Sequence, residues 1–120
     1  MRQFVPPEVW RLRIQDIIDS IDRIEVYLSG ISHEWFTEDQ RTRDAVVWNI
    51  AVICEAARLI PVEIQVNHQA IPWAKMRGMR NIVMHEYFGI DESIIWETAT
   101  RDLPTLRAQL EKLVLSERDR

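Results

Sequence analysis

The chain has 120 residues, 47% of them apolar and 28% charged, with a formal net charge of −4. That length suits a single domain that hides roughly two thirds of its unfolded surface on folding, and the acidic balance argues against gripping long nucleic acid through many phosphates. Only three glycines and five prolines are available for loops, and the lone Cys54 cannot close an intrachain disulfide, so helices in a reducing, cytoplasmic setting are expected.

Pro6-Pro7 precede a helical pattern from Glu8 to Ser29, in which Trp10, Ile14, Ile17, Ile18, Ile21, Ile24 and Leu28 recur at three- and four-residue steps. Asp16, Asp19, Asp22 and Arg23 fall on the other side and read as a solvated face. Gly30 ends this helix, and Ile31 to Phe36 form a connection. Thr37-Glu38-Asp39-Gln40 reads as a capping box, with the Thr37 hydroxyl accepting from the Gln40 N–H. The second helix runs to Ile60 and stops before Pro61. From Ala45 it is apolar nearly all the way round, so a second subunit is expected to cover part of it. Glu55 interrupts that apolar run, and an unpaired buried carboxylate is costly. It either sits at the rim beside an arginine such as Arg58, one turn on, or lines a pocket with the motif described below.

Pro61 to Pro72 is a connection with a helical turn near Val62 to Val66. His33 and His68 lack ligand neighbours at metal-binding spacing and read as surface residues, so neither a metal nor a cofactor is expected. A third helix starts near Pro72 and continues through Trp73, Met76, Met79 and Val83 into Tyr87. A fourth starts near Asp91, and Asp102-Leu103-Pro104 reads as a break or kink before a last helix striped by Leu103, Leu106, Leu110, Leu113 and Val114. Ser116 to Arg120 reads as a fraying polar tail. The N-terminus lacks the apolar core of a secretory signal, and the most apolar stretch, Ala45 to Ala57, is shorter than the ~20 residues of a membrane span. The fold class that follows is all-α: an antiparallel bundle of four to five helices forming one domain over residues 1–120.

Chemistry concentrates in Met79-Arg80-Asn81-Ile82-Val83-Met84-His85-Glu86-Tyr87. Between Ile64 and Ile90 only Glu86 opposes Lys75, Arg77 and Arg80, so this window carries +2 while the remainder carries −6. A histidine can exchange a proton near neutral pH, and an arginine can hold a phosphate through two parallel hydrogen bonds. Asn81 can position His85 or a phosphate oxygen, and Tyr87 can stack a base or bond a phosphate. These groups suit RNA cleavage by the neighbouring 2′-hydroxyl, which needs no bound ion and leaves a 2′,3′-cyclic phosphate. At ~100° per residue, Tyr87 returns to the face of Arg80, whereas His85 lies about 140° away from it.

The chain resembles the HepT toxins of the HEPN superfamily over Trp10 to Leu115, most specifically in three segments. These are Ile53-Cys54-Glu55-Ala56-Ala57, Ile71-Pro72-Trp73, and the run from Gly78 to Phe88 that contains Arg-x4-His-x-Tyr; Ile95-Trp96-Glu97-Thr98 followed by Asp102-Leu103-Pro104 adds to them. The resemblance implies a homodimer whose motif helices face each other across the two-fold axis and form a metal-independent endoribonuclease cleft. It matches Arg80 and His85 to a catalytic pair and Asn81 to its polar companion; Glu55 and Arg77 are expected beside them as supporting pocket residues from the reading of the residues themselves. It matches Tyr87 to a tyrosine to which a partner, a minimal nucleotidyltransferase antitoxin, transfers AMP to block the cleft; higher hetero-oligomers with that partner fit the same picture. Cys54 departs from the family, which usually has glycine there. The alternative is a non-catalytic nucleotide-binding subunit that presents Tyr87 to such a partner.

Overall fold

A computed structural model describes residues 5–89 and 93–118. Its framework is the pairing of two long helices, α1 (Pro7–Leu28) and α3 (Gln40–Arg58). On α1 the three- and four-residue spacing works as read: Trp10, Ile14, Ile17, Ile18, Ile21 and Ile24 are all buried. Pro7 occupies the first turn, where its missing N–H would have had no helical partner. Each fully buried isoleucine contributes about 1.5–3 kcal/mol through area removed from water, which makes this stripe the main source of the pairing. From α3, Val46, Ile50, Ile53 and Ala57 meet it at under 1% exposure.

The short helix α2 (His33–Glu38) occupies the stretch expected to be a connection. Ser32 caps it by accepting from the Trp35 N–H at 3.1 Å, and Phe36 buries fully into the core. The expected capping box at Thr37 is replaced by a cap two residues on. Thr37 Oγ1 donates back to the His33 carbonyl at 2.9 Å, and Asp39 accepts from the Thr42 hydroxyl at 2.6 Å and, more weakly, from its N–H at 3.4 Å. The physical reason is that α2 extends through Glu38, so the first non-helical residue available as a cap is Asp39. The Thr42 hydroxyl holds the Asp39 carboxyl below the usual carboxylate range.

After α4 (Val62–Asn67), the single third helix expected from Pro72 onward is instead two, α5 (Trp73–Gly78) and α6 (Arg80–Tyr87). They part at Met79, whose N–H bonds the Met76 carbonyl three residues back at 3.2 Å and whose side chain is buried. Such a tightened turn orphans carbonyls in the last turn of α5. Cys54 answers one of them: its thiol donates to the Arg77 carbonyl at 3.0 Å, a bond that glycine could not make.

The last two helices, α7 (Ser93–Glu97) and α8 (Leu103–Ser116), are joined by a π-helical turn over Thr98–Asp102, which leads into the Asp102-Leu103-Pro104 segment expected to be a break or kink. The Leu103 N–H reaches the Thr98 carbonyl, five residues back. The wider turn lets the helix carry Pro104, whose ring would otherwise collide with the carbonyl of Thr100. Asp91, expected near the start of this helix, lies outside the described residues.

Helix α8 packs on α1, and its Arg107 bonds Asp22 at 2.6 and 3.2 Å. Asp22 therefore belongs to an interhelical pair and not simply to a solvated stripe. Arg107 holds the Asp22 carboxyl below its ordinary range, and the guanidinium pKa is itself raised by Asp22 first and Glu111 second. His68, read as a surface residue, is mostly buried and shares a 2.8 Å hydrogen bond with Glu117. Glu117 is itself buried, and its carbonyl accepts from Arg11, so the segment read as a fraying tail is tied down at this point. Among the described residues the architecture is an all-α bundle, and no helix is long and apolar enough to cross a membrane.

Candidate functional site

Helix α6 carries the motif and buries none of its own residues fully. Ile82 and Val83 are half-buried against the core, and Met79 anchors the preceding turn. The opposite side of α6 is open: Arg80, Asn81, Met84, His85 and Tyr87 are all exposed, Tyr87 at 81%. Among the described residues, Arg80, Asn81 and His85 have no side-chain hydrogen bond or ion pair. Among the described residues these three side chains therefore face water and are open to a ligand.

A polar strut fixes α6 to the body of the protein. Glu86 accepts from Arg43 Nε at 3.2 Å, with the two side chains only 12% and 14% exposed. The same guanidinium donates to the Phe36 carbonyl at 3.1 Å and to the Thr37 carbonyl, closing the C-terminal end of α2. Arg43 thus joins α2, α3 and α6. Sequence reasoning passed over it, although Glu86, the one acid in the basic window, was the signal that an arginine elsewhere had to meet it.

Beside the strut lies a cleft of about 680 Å³ between α3 and α6, lined by Gln40, Asp44 and Val47 on one side and Val83 and Tyr87 on the other. Tyr87 and Phe88 meet edge-to-face at its rim, 5.2 Å between ring centroids. Gln40 Nε2 donates to Asp44 at 2.6 Å.

The other residues grouped with the motif are engaged elsewhere. Glu55 is exposed and pairs with Arg58 at 3.5 Å, the rim alternative of the two read from the sequence. Arg77 is exposed and donates to Gln65 of α4 at 2.9 Å. Lys75 pairs with Asp102 at 3.4 Å. Within the basic window, Arg80 is the guanidinium without a side-chain partner among the described residues. His33 stacks on Trp96, 5.1 Å between centroids and 10° between planes, away from this chemistry. Within one α6, Arg80 and His85 remain about 140° apart round the axis, so a single chain does not aim both at one point.

The fold and this surface define a class, the compact helical domains that display a polar Arg-Asn-His-Tyr helix on an otherwise packed body. Comparison with known proteins gives the family. The description "Ribonuclease HepT-like" matches residues 17–113, and the chain belongs to that family. It is 37% identical over 100 residues to "Probable ribonuclease HepT" of Thermococcus cleftensis, covering 83% of this chain and 91% of that one. It is 32% identical over 105 residues to a protein of Caldanaerobacter subterraneus subsp. tengcongensis named as a "Putative RNase", covering 88% and 94%. A "Putative RNase" of Methanocaldococcus jannaschii is 33% identical over 101 residues, covering 84% of each chain. No solved structure matches.

Proposed function

We propose that the chain is a toxin endoribonuclease that cuts RNA without a metal ion, using Arg80, His85 and Asn81 on α6. The observation that carries the reading is the set of three exposed, unpartnered polar side chains on one short helix of a HepT-like protein. In the cleavage step a base removes the proton of a ribose 2′-hydroxyl, whose oxygen attacks the adjacent phosphorus. The 5′-oxygen leaves with a proton, and a 2′,3′-cyclic phosphate remains. His85 serves the proton transfers, Arg80 holds the phosphate oxygens as charge grows on them, and Asn81 orients the phosphate.

The angular separation of Arg80 and His85 favours a site completed by a second copy, with the two α6 helices facing across a two-fold axis. Trp48 on α3, 71% exposed, and Leu59, just past the end of that helix, supply apolar surface that a second copy would cover. Tyr87, exposed on α6, suits control by a nucleotidyltransferase antitoxin. ATP would transfer AMP to the phenol oxygen, release pyrophosphate and a proton, and leave a bulky anion where RNA must lie.

Arg80→Ala and His85→Ala should each lower RNA cleavage about 10²-fold or more and relieve growth inhibition, while EDTA leaves the wild-type rate unchanged. Retained cleavage in either variant, or loss of cleavage with chelator, overturns the mechanism. The exposure of Tyr87 also favours a second reading, a subunit that only presents this tyrosine to a nucleotidyltransferase. Wild-type protein that cuts no RNA yet co-purifies with such an enzyme would select it.

A further inference from the structure

We propose that the cleft between α3 and α6 is a nucleobase subsite that takes one unpaired base of the RNA flanking the phosphate held at Arg80. This rests on the ribonuclease reading for its ligand. Its own support is the shape and chemistry of the cleft.

The volume, about 680 Å³, lies in the range of small-molecule sites, roughly 300–1,000 Å³. The floor is apolar, from Val47 and Val83, and the Tyr87 ring stands at the rim where a planar base can stack on it. A phosphate is disfavoured here. Glu86 is already neutralised by Arg43, so the carboxylate of Asp44 leaves the lining with a net negative charge. The phosphates are therefore drawn to Arg80, on the solvent side of α6, and the base turns in past Tyr87.

The polar edge is preset. The Gln40 carboxamide oxygen accepts from Arg43, which directs its NH₂ toward Asp44 and fixes which way the amide points. One Gln40 N–H and the second Asp44 carboxylate oxygen remain available, a donor beside an acceptor. That pair fits the hydrogen-bonding edge of a base whose own edge is free. A base already in a duplex has used that edge, so the subsite selects single-stranded RNA.

The test is abasic scanning of binding, on protein whose intact mass shows unmodified Tyr87, so that the base being read belongs to the RNA. His85→Ala protein is titrated with a fluorescent single-stranded RNA and with copies carrying one abasic ribose at each position in turn. One position is expected to weaken binding by about fivefold or more. The same titrations in His85→Ala/Asp44→Ala, a surface change, and in His85→Ala/Val47→Trp, which fills the floor, should show less than about a twofold loss at that position. Folding of each variant is checked by thermal melting, and either one alone decides the question. No sensitive position, or equal sensitivity with and without the cleft changes, overturns the subsite. If the coupling is present but wild-type protein cuts no RNA, the ribonuclease reading fails and the subsite stands. If wild-type protein cuts RNA and the coupling is absent, only the subsite fails.

Discussion

The Arg43–Glu86 strut should decide whether α6 is held in place. Replacing Arg43 with alanine strands the Glu86 carboxylate in a setting where it is about seven eighths covered, and strips the Phe36 and Thr37 carbonyls of a donor. An exposed ion pair contributes about 0–1 kcal/mol, and breaking a fully buried one costs about 3–5 kcal/mol. This pair lies between those limits and has carbonyl partners as well, so Arg43→Ala should cost about 2 kcal/mol. Glu86→Gln should cost less, because the amide oxygen still accepts from Arg43. Urea unfolding followed by circular dichroism measures both, and the double variant closes a cycle that isolates the coupling. Hydrogen exchange adds a spatial reading: in Arg43→Ala the α6 amides should lose protection more than those of α1. An Arg43→Ala cost below about 0.5 kcal/mol, or equal loosening of α1 and α6, would refute the strut.

Other positions can be tested on the same footing. Ile17 is fully buried at the α1–α3 contact, and Ile17→Ala should cost about 2–5 kcal/mol in the same unfolding assay. The Asp22 carboxyl is held below its ordinary range by Arg107, so its contribution is present above the unfolded pKa near 4 and is lost as pH falls through the lower folded value. Asp22→Asn should therefore destabilise the chain modestly at pH 7, by no more than about 1 kcal/mol at this half-exposed site, and the difference should shrink as pH falls below the unfolded value. His68→Ala removes one hydrogen-bond partner of buried Glu117 and should cost about 1–3 kcal/mol, with the C-terminal end of α8 becoming the first point of protease cleavage.

Much of the helical content was readable because it rests on periodicity that neighbouring residues carry together. The isoleucine stripe of α1 and the leucine stripe of α8 name their buried faces without reference to a partner. The boundaries were less readable, since they depend on which of several competing local bonds is made. Thr37 and Asp39 are both competent caps, and only the extension of α2 through Glu38 selects Asp39. The break at Met79 has no proline to announce it. It is a tertiary feature, in which the thiol of Cys54, 23 residues before Arg77, satisfies the Arg77 carbonyl of the broken end.

By itself the sequence determined that the protein is helical, where its main apolar faces lie, and that its chemistry-bearing side chains cluster between Arg80 and Tyr87. These are properties of residue type and short spacing. Tertiary structure decided which charges are already spoken for: Glu86 by Arg43, Lys75 by Asp102, and His68 with Glu117. It also opened a cleft beside Tyr87 whose two walls come from helices about forty residues apart in the chain. Ion pairs and cavities depend on distances between segments remote in sequence, and only packing of the whole core sets those distances.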